Sequence, residues 1–144
     1  MNREELYHDT INIVLDAYNN QEMLIGDPCK CFIGNIISKR YNGLEKFRNG
    51  DYCYSPDWYF GVVKKASAKF YKGEISEQKG IRQIESTGYT LDEVIELERN
   101  FESFSQYNEL AAIESTLIKL AEIHETNEKE YTQRLEMIYD KVYC

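Results

Sequence analysis

The chain has 144 residues, 42% of them hydrophobic and 13% aromatic, and a formal charge of -8. That is enough to bury one core and too apolar for a disordered tail, so a single domain spanning 1–144 is expected. The charge is uneven, with residues 1–26 summing to -4, 27–82 to +5 and 83–144 to -9, which disfavours generic duplex nucleic acid while leaving room for a small nucleotide near the basic middle third.

In chain order, Asn2 is placed to cap a first helix, with Glu5 three residues on, and Tyr7, Ile11, Val14 and Tyr18 recur at helical spacing to an end near Asn19 and Asn20. Because this segment is amphipathic and lacks the layout of a secretory leader, a cytoplasmic protein with reduced cysteines is expected. No run approaches the roughly 20 apolar residues of a membrane span. Asp27-Pro28 predicts the next helix start, which puts Cys29 and Cys31 in a first turn and carries Phe32 to Arg40 toward a stop at Asn42-Gly43.

Residues 44–54 read as loop, with Asn49-Gly50 as a turn whose flanks suit a short helix on one side or a small hairpin on both. Ser55-Pro56 repeats the helix-start pattern ahead of Tyr59, Val62, Val63, Ala66 and Phe70, and a short helix is expected around Ile81 and Ile84. Thr90 to Glu93 predicts a capping box with Tyr89 and Val94 as its hydrophobic staple, so that a helix begins at Leu91 and buries Val94, Leu97, Phe101 and Phe104. Further stripes follow, Leu110, Ile113, Leu117 and Leu120, then Tyr131, Leu135, Ile138 and Val142, either as two helices broken near Thr126-Asn127 or as one long one. The pattern predicts an all-α fold, a compact irregular bundle of five or six helices.

Several residues carry chemistry in this pattern. Tyr52, Tyr54, Trp58 and Tyr59 stand beside Lys64, Lys65 and Lys69, and aromatic rings next to ammonium groups suit either a recognition surface or a pocket that stacks a base and holds its phosphate. Binding is therefore expected at Tyr52, Tyr54, Trp58 and Lys65. An aromatic core corner with a solvated lysine face is the plainer account of the same residues.

Cys29, Cys31 and Cys53 form a second candidate, for zinc with a histidine or for thiol redox chemistry. Neighbouring i and i+2 positions on a helix point about 200° apart, which opposes chelation by Cys29 and Cys31, while a first-turn position with Lys30 beside it would favour a reactive thiolate. Burial of Cys31 and Cys53 in the core is the competing expectation. Glu5-x-x-His8 has the spacing of half a di-iron motif without its second half, and Glu98, on the apolar side of its helix, should be semi-buried and partnered.

The segment Pro28-Cys29-Lys30-Cys31-Phe32-Ile33-Gly34-Asn35-Ile36, with Thr87-Gly88-Tyr89-Thr90 running into Glu98 and Phe101-Glu102, resembles a set of uncharacterised small helical proteins of Bacteroidetes bacteria and their phages. The resemblance implies a helical fold and a bacterial or phage origin, and it carries no site residue. The expected function is a small non-enzymatic protein-interaction module, in an accessory or counter-defence role, with a protein partner, a homodimer among the options, and no cofactor. The metal or thiol-redox protein and the nucleotide-sequestering protein are the alternatives.

Overall fold

The computed structural model describes residues 1–41, 45–46, 52–53, 57–64, 76–105, 108–127 and 131–143, the side chains of 45–46, 52–53 and 142–143 excepted. Among these residues it holds six α-helices, one π-helix and a minimal two-stranded ladder, so the all-α class is as expected.

Helix α1 (Arg3–Asn19) starts where the sequence placed it. The Asn2 side chain accepts from the Glu5 amide at 2.8 Å and donates to the Glu5 carboxylate at 3.1 Å. The first of these bonds satisfies a backbone donor that a helix start otherwise leaves open, and the second holds the two side chains together. Its inward face buries Tyr7, Ile11, Val14 and Leu15, and Tyr18 is half-buried.

Helix α2 (Phe32–Arg40) starts four residues later than Asp27-Pro28 predicted, and its cap is Cys31. The reason lies in the carbonyl of Lys30. In a helix running from Pro28 that oxygen would accept from Gly34; here it accepts from the Leu24 amide at 2.8 Å and from the Asn35 side chain at 2.8 Å. Gly34 N-H turns to the Cys31 sulfur at 3.3 Å, and Asp27 closes its own turn by accepting from Cys29 N-H at 2.9 Å.

Strands β1 (Glu45–Lys46) and β2 (Tyr52–Cys53) pair antiparallel with Glu45 opposite Cys53 and Lys46 opposite Tyr52, so four residues of the stretch expected as loop are paired as the hairpin alternative requires. The π-helix (Trp58–Val63) replaces the α-helix predicted after Ser55-Pro56; the Lys64 amide reaches back five residues to Tyr59 O at 2.6 Å. Ser55, Pro56, Ala66, Phe70 and the Asn49-Gly50 turn lie outside the described residues.

The π-helix packs on α3 (Glu77–Ser86), where Gln83 and Ile84 face inward and Ile81 outward. Helix α4 (Leu91–Glu102) carries the predicted capping box, with the Thr90 hydroxyl accepting from Glu93 N-H at 3.2 Å and the Glu93 carboxylate accepting from Thr90 N-H at 2.9 Å. Tyr89 and Val94 are both buried, as a staple requires.

Helix α5 (Glu109–Ile123) buries Leu110, Ile113, Leu117 and Leu120, and α6 (Tyr131–Tyr143) buries Tyr131, Leu135 and Ile138. Thr126 and Asn127 therefore lie between two helices, and the chain turns there through Glu125 at φ 52°. The core forms where α4 meets α5 and α2, and where α1 meets α2 and α5; Phe32 and Phe101 bring their rings to 6.1 Å at its centre. Among the described residues no helix is long and apolar enough to cross a membrane.

Candidate interaction groove

A cleft with a largely apolar lining lies between the end of α1 and α6. Helix α1 ends at Asn20, and Gln21, at φ 60°, turns the chain back beneath the helix, so that Met23 is buried and Leu24 is left 40% exposed. Helix α6 lies beside this turn, and the two line one cleft. Its Arg134 donates to Asn12 and, at 3.0 Å, to Asp16 on α1, and its Tyr139 hydroxyl donates to Glu114 on α5 at 2.7 Å. These bonds fix α6 against two neighbours while its apolar stripe points inward.

The result is a cleft of about 500 Å³ with Tyr18, Met23, Leu24 and Ile138 as its apolar lining and Glu109 and Lys141 at its edges. A second cleft of about 390 Å³ shares Asn19, Ile138 and Lys141 and adds Arg134 and Met137. Met137 sits beside Ile138 and is 69% exposed, an unusually open position for a large apolar side chain in an ordered helix.

Of the expected binding residues, only Trp58 has a described side chain. Trp58 is fully buried; its backbone N-H donates to Gln83 Oε1 at 2.9 Å, and its ring meets Tyr59 edge-on at 5.6 Å. It is a core residue and cannot stack a nucleotide base from solvent, which corrects the expectation. Tyr52 contributes its backbone to β2, and its side chain, with all of Tyr54 and Lys65, lies outside the described residues.

The cysteine candidates are corrected in two respects. Cys29 is disulfide-bonded, and not to Cys31, which is free and buried. A sulfur in a disulfide is neither a thiolate ligand nor a nucleophile. Burial pushes the Cys31 thiol pKa up, against the Gly34 N-H that pulls it down, and the nearby carboxylates of Glu102, Glu98 and Asp27 add to the rise. Desolvation therefore outweighs the helix start that was expected to activate a thiol. The Cys53 side chain and Cys144 lie outside the described residues, and among those described no three His, Cys, Asp or Glu side chains are grouped to hold a metal. Glu5, half of the Glu-x-x-His pattern, is engaged in capping α1.

Two buried polar clusters accompany the groove. In the first, the Tyr89 hydroxyl lies 2.7 Å from Nε2 of His124 and 3.1 Å from the Thr10 hydroxyl, to which Arg40 donates at 2.9 Å. Arg40 also pairs with Asp9 at 2.8 Å. Burial, then the charge of Arg3, lowers the His124 pKa to about 4, and burial raises that of Tyr89 to about 12, so both are neutral near pH 7. The exposed edge of His124 lines a cleft of about 340 Å³ with Arg3, Glu4, Tyr7, Glu125 and Thr126.

In the second cluster Glu98 is 4% exposed and makes no hydrogen bond to a described residue. Burial raises its pKa, and the charges of Lys64 and Arg99 oppose the rise. Neighbouring Glu102 is raised for the same first reason and accepts from Gly26 N-H at 2.8 Å. The expected burial of Glu98 is thus present, and among the described residues the charges of Lys64 and Arg99 act on it without a direct hydrogen bond.

Sequence reasoning missed the groove and the Tyr89-His124 pair. Met137 was the one visible signal for the groove: a large apolar residue one step off the Leu135 and Ile138 stripe of a helix that is otherwise polar outside. Nothing local links Tyr89 to His124. The fold and the groove define an all-helical chain with an apolar cleft bracketed by opposite charges. No protein-family model, curated protein or solved structure matches it.

Proposed function

We propose that the protein is a non-enzymatic protein-interaction module whose groove between α1 and α6 receives apolar side chains of a partner. The observation that carries this is the exposure of Met137 and Leu24, 69% and 40%, which line two clefts that share Asn19, Ile138 and Lys141. Water is a poor solvent for such a patch, and a partner that covers it gains roughly 1.5–3 kcal/mol for each large side chain fully buried. Association also costs on the order of 4–15 kcal/mol in lost freedom, so two anchors and a cleft support micromolar binding more readily than nanomolar binding.

The resemblance of residues 28–36 and 87–102 supports a bacterial or phage origin, and an accessory or counter-defence role is the reading we attach to the module. The disulfide at Cys29 argues against the cytoplasmic location expected from the N-terminal helix, because such bonds persist in oxidising surroundings and are rare in the cytosol.

The test compares the proteins retained from source-cell extract by the native chain and by a Leu24→Asp, Met137→Asp variant. Both positions are exposed, so helicity should be unchanged. Loss of a retained protein with the variant supports the groove; equal retention by both removes it.

A further inference from the structure

The groove carries its own complement, and this points to one kind of occupant. A two-fold contact between identical chains must be self-complementary: residue i of one copy meets residue j of the other, and j meets i. Such a surface needs a projection and a recess side by side, and it needs any charges on its edges to be of both signs.

Both requirements are met within one patch. Met137 projects from α6 beside the cleft floored by Ile138 and walled by Tyr18 and Met23. A methionine is unbranched and adapts to an irregular apolar recess, which suits it as the inserted side chain. The cleft edges carry Glu109, in the first turn of α5, and Lys141, in the last turn of α6. Neither has an ion-pair partner among the described residues. A partner of uniformly basic or acidic character would meet one of these two charges with its like, whereas an inverted copy of the same patch offers Lys141 to Glu109 and Glu109 to Lys141.

We infer that the occupant of the groove is a second copy of this chain, related by a two-fold axis that runs between the two α6 helices, with Met137 of each copy seated in the cleft of the other. The inference rests on the groove reading given above and names its partner.

Sedimentation equilibrium on the full chain over micromolar to millimolar concentration tests it. The native chain is expected to follow a monomer-dimer equilibrium, and Met137→Glu is expected to weaken it about tenfold or more, as for a central anchor. Glu109→Lys alone and Lys141→Glu alone should each weaken the dimer, and the double reversal should restore it, because only the double variant recovers opposite charges across the axis. Circular dichroism of each variant confirms that the helices are retained. A native chain that stays monomeric overturns the two-fold inference and leaves the groove open to other proteins, which the extract comparison reads separately. A dimer that Met137→Glu leaves unchanged uses another surface and overturns the two-fold inference, while the extract comparison still decides the groove reading.

Discussion

The Tyr89 hydroxyl and Nε2 of His124 are 2.7 Å apart, joining the turn that precedes α4 to the residue that ends α5. The His124 ring also stands 5.0 Å from that of Tyr7, so α1 closes the third side. An imidazole held this way loses much of its water, which disfavours its charged form. Its pKa falls from 6.5 to about 4, with Arg3 adding to the burial effect.

The consequence for stability has a definite sign. Between pH 6.5 and about 4 the unfolded chain binds more protons at His124 than the folded chain does, so the stability supplied by the neutral ring is complete above 6.5 and is lost as pH falls through this window. A proton NMR titration of the folded protein should find one imidazole with a pKa near 4. Thermal unfolding of His124→Gln should lose less stability across the same window than the native chain. An ordinary imidazole titration near 6.5 would contradict the buried pairing.

Glu98 has the opposite sign. Its folded pKa is raised above 4.5 by burial, so the folded chain holds this proton to higher pH than the unfolded chain. Stability from this group is complete below pH 4.5 and declines as pH rises through the folded value. Glu98→Gln keeps the shape and removes the charge. It should therefore raise the melting temperature at pH 7 and leave it nearly unchanged at pH 4, and equal melting temperatures at both values would show that the carboxylate is well solvated.

How far the sequence reached follows from where each interaction is encoded. The capping box at Thr90, the Asn2 cap and the stripes of α4, α5 and α6 are patterns within three to seven residues of one another, and the structure carries them nearly as read. The start of α2 failed because Lys30 O is taken by Leu24 and Asn35, a competition set by how the preceding turn folds back. Trp58 failed as a binding residue for a related reason. Trp58 next to tyrosines and lysines looks the same on a core corner and on a recognition surface, and only the packing of α3 against the π-helix decides that it is fully buried. The groove joins residues 18–24 to residues 137–141, a separation that no local pattern spans.

Trp58 is the single tryptophan in the chain, so its environment can be read directly. At 0% exposure its fluorescence should be blue-shifted in the native protein and poorly quenched by acrylamide, with both properties lost on unfolding. Trp58→Ala should cost about 3–5 kcal/mol in denaturant unfolding, the range for emptying a large aromatic site. A red-shifted, readily quenched native spectrum would return Trp58 to the surface and reopen the nucleotide reading.

Gly34 in the first turn of α2 offers the sharpest test of how that helix begins. A Cβ at this position would meet the carbonyl oxygen of Pro28 and, at 2.7 Å, the carbonyl carbon of Cys29. Both are backbone atoms, so no side-chain rotation relieves the contact. The segment is also held by its own bonds, Cys31 N-H to Asp27 O at 2.7 Å and Cys29 N-H to the Asp27 side chain at 2.9 Å, and by the disulfide at Cys29. Gly34→Ala must therefore push the turn away from α2, and it is expected to cost about 1–3 kcal/mol, the range for forcing extra volume into a packed site. Gly26→Ala is the control: a Cβ there meets nothing within 4 Å, and the cost comes from its φ of +87° alone, about 1–2 kcal/mol for a left-handed residue. Urea titrations of the two variants separate the causes, because reducing the disulfide frees the turn to move and should lessen the Gly34→Ala penalty relative to the reduced native chain, while leaving that of Gly26→Ala in place. An unchanged Gly34→Ala penalty after reduction would mean that the hydrogen bonds to Asp27 hold the turn without help from Cys29.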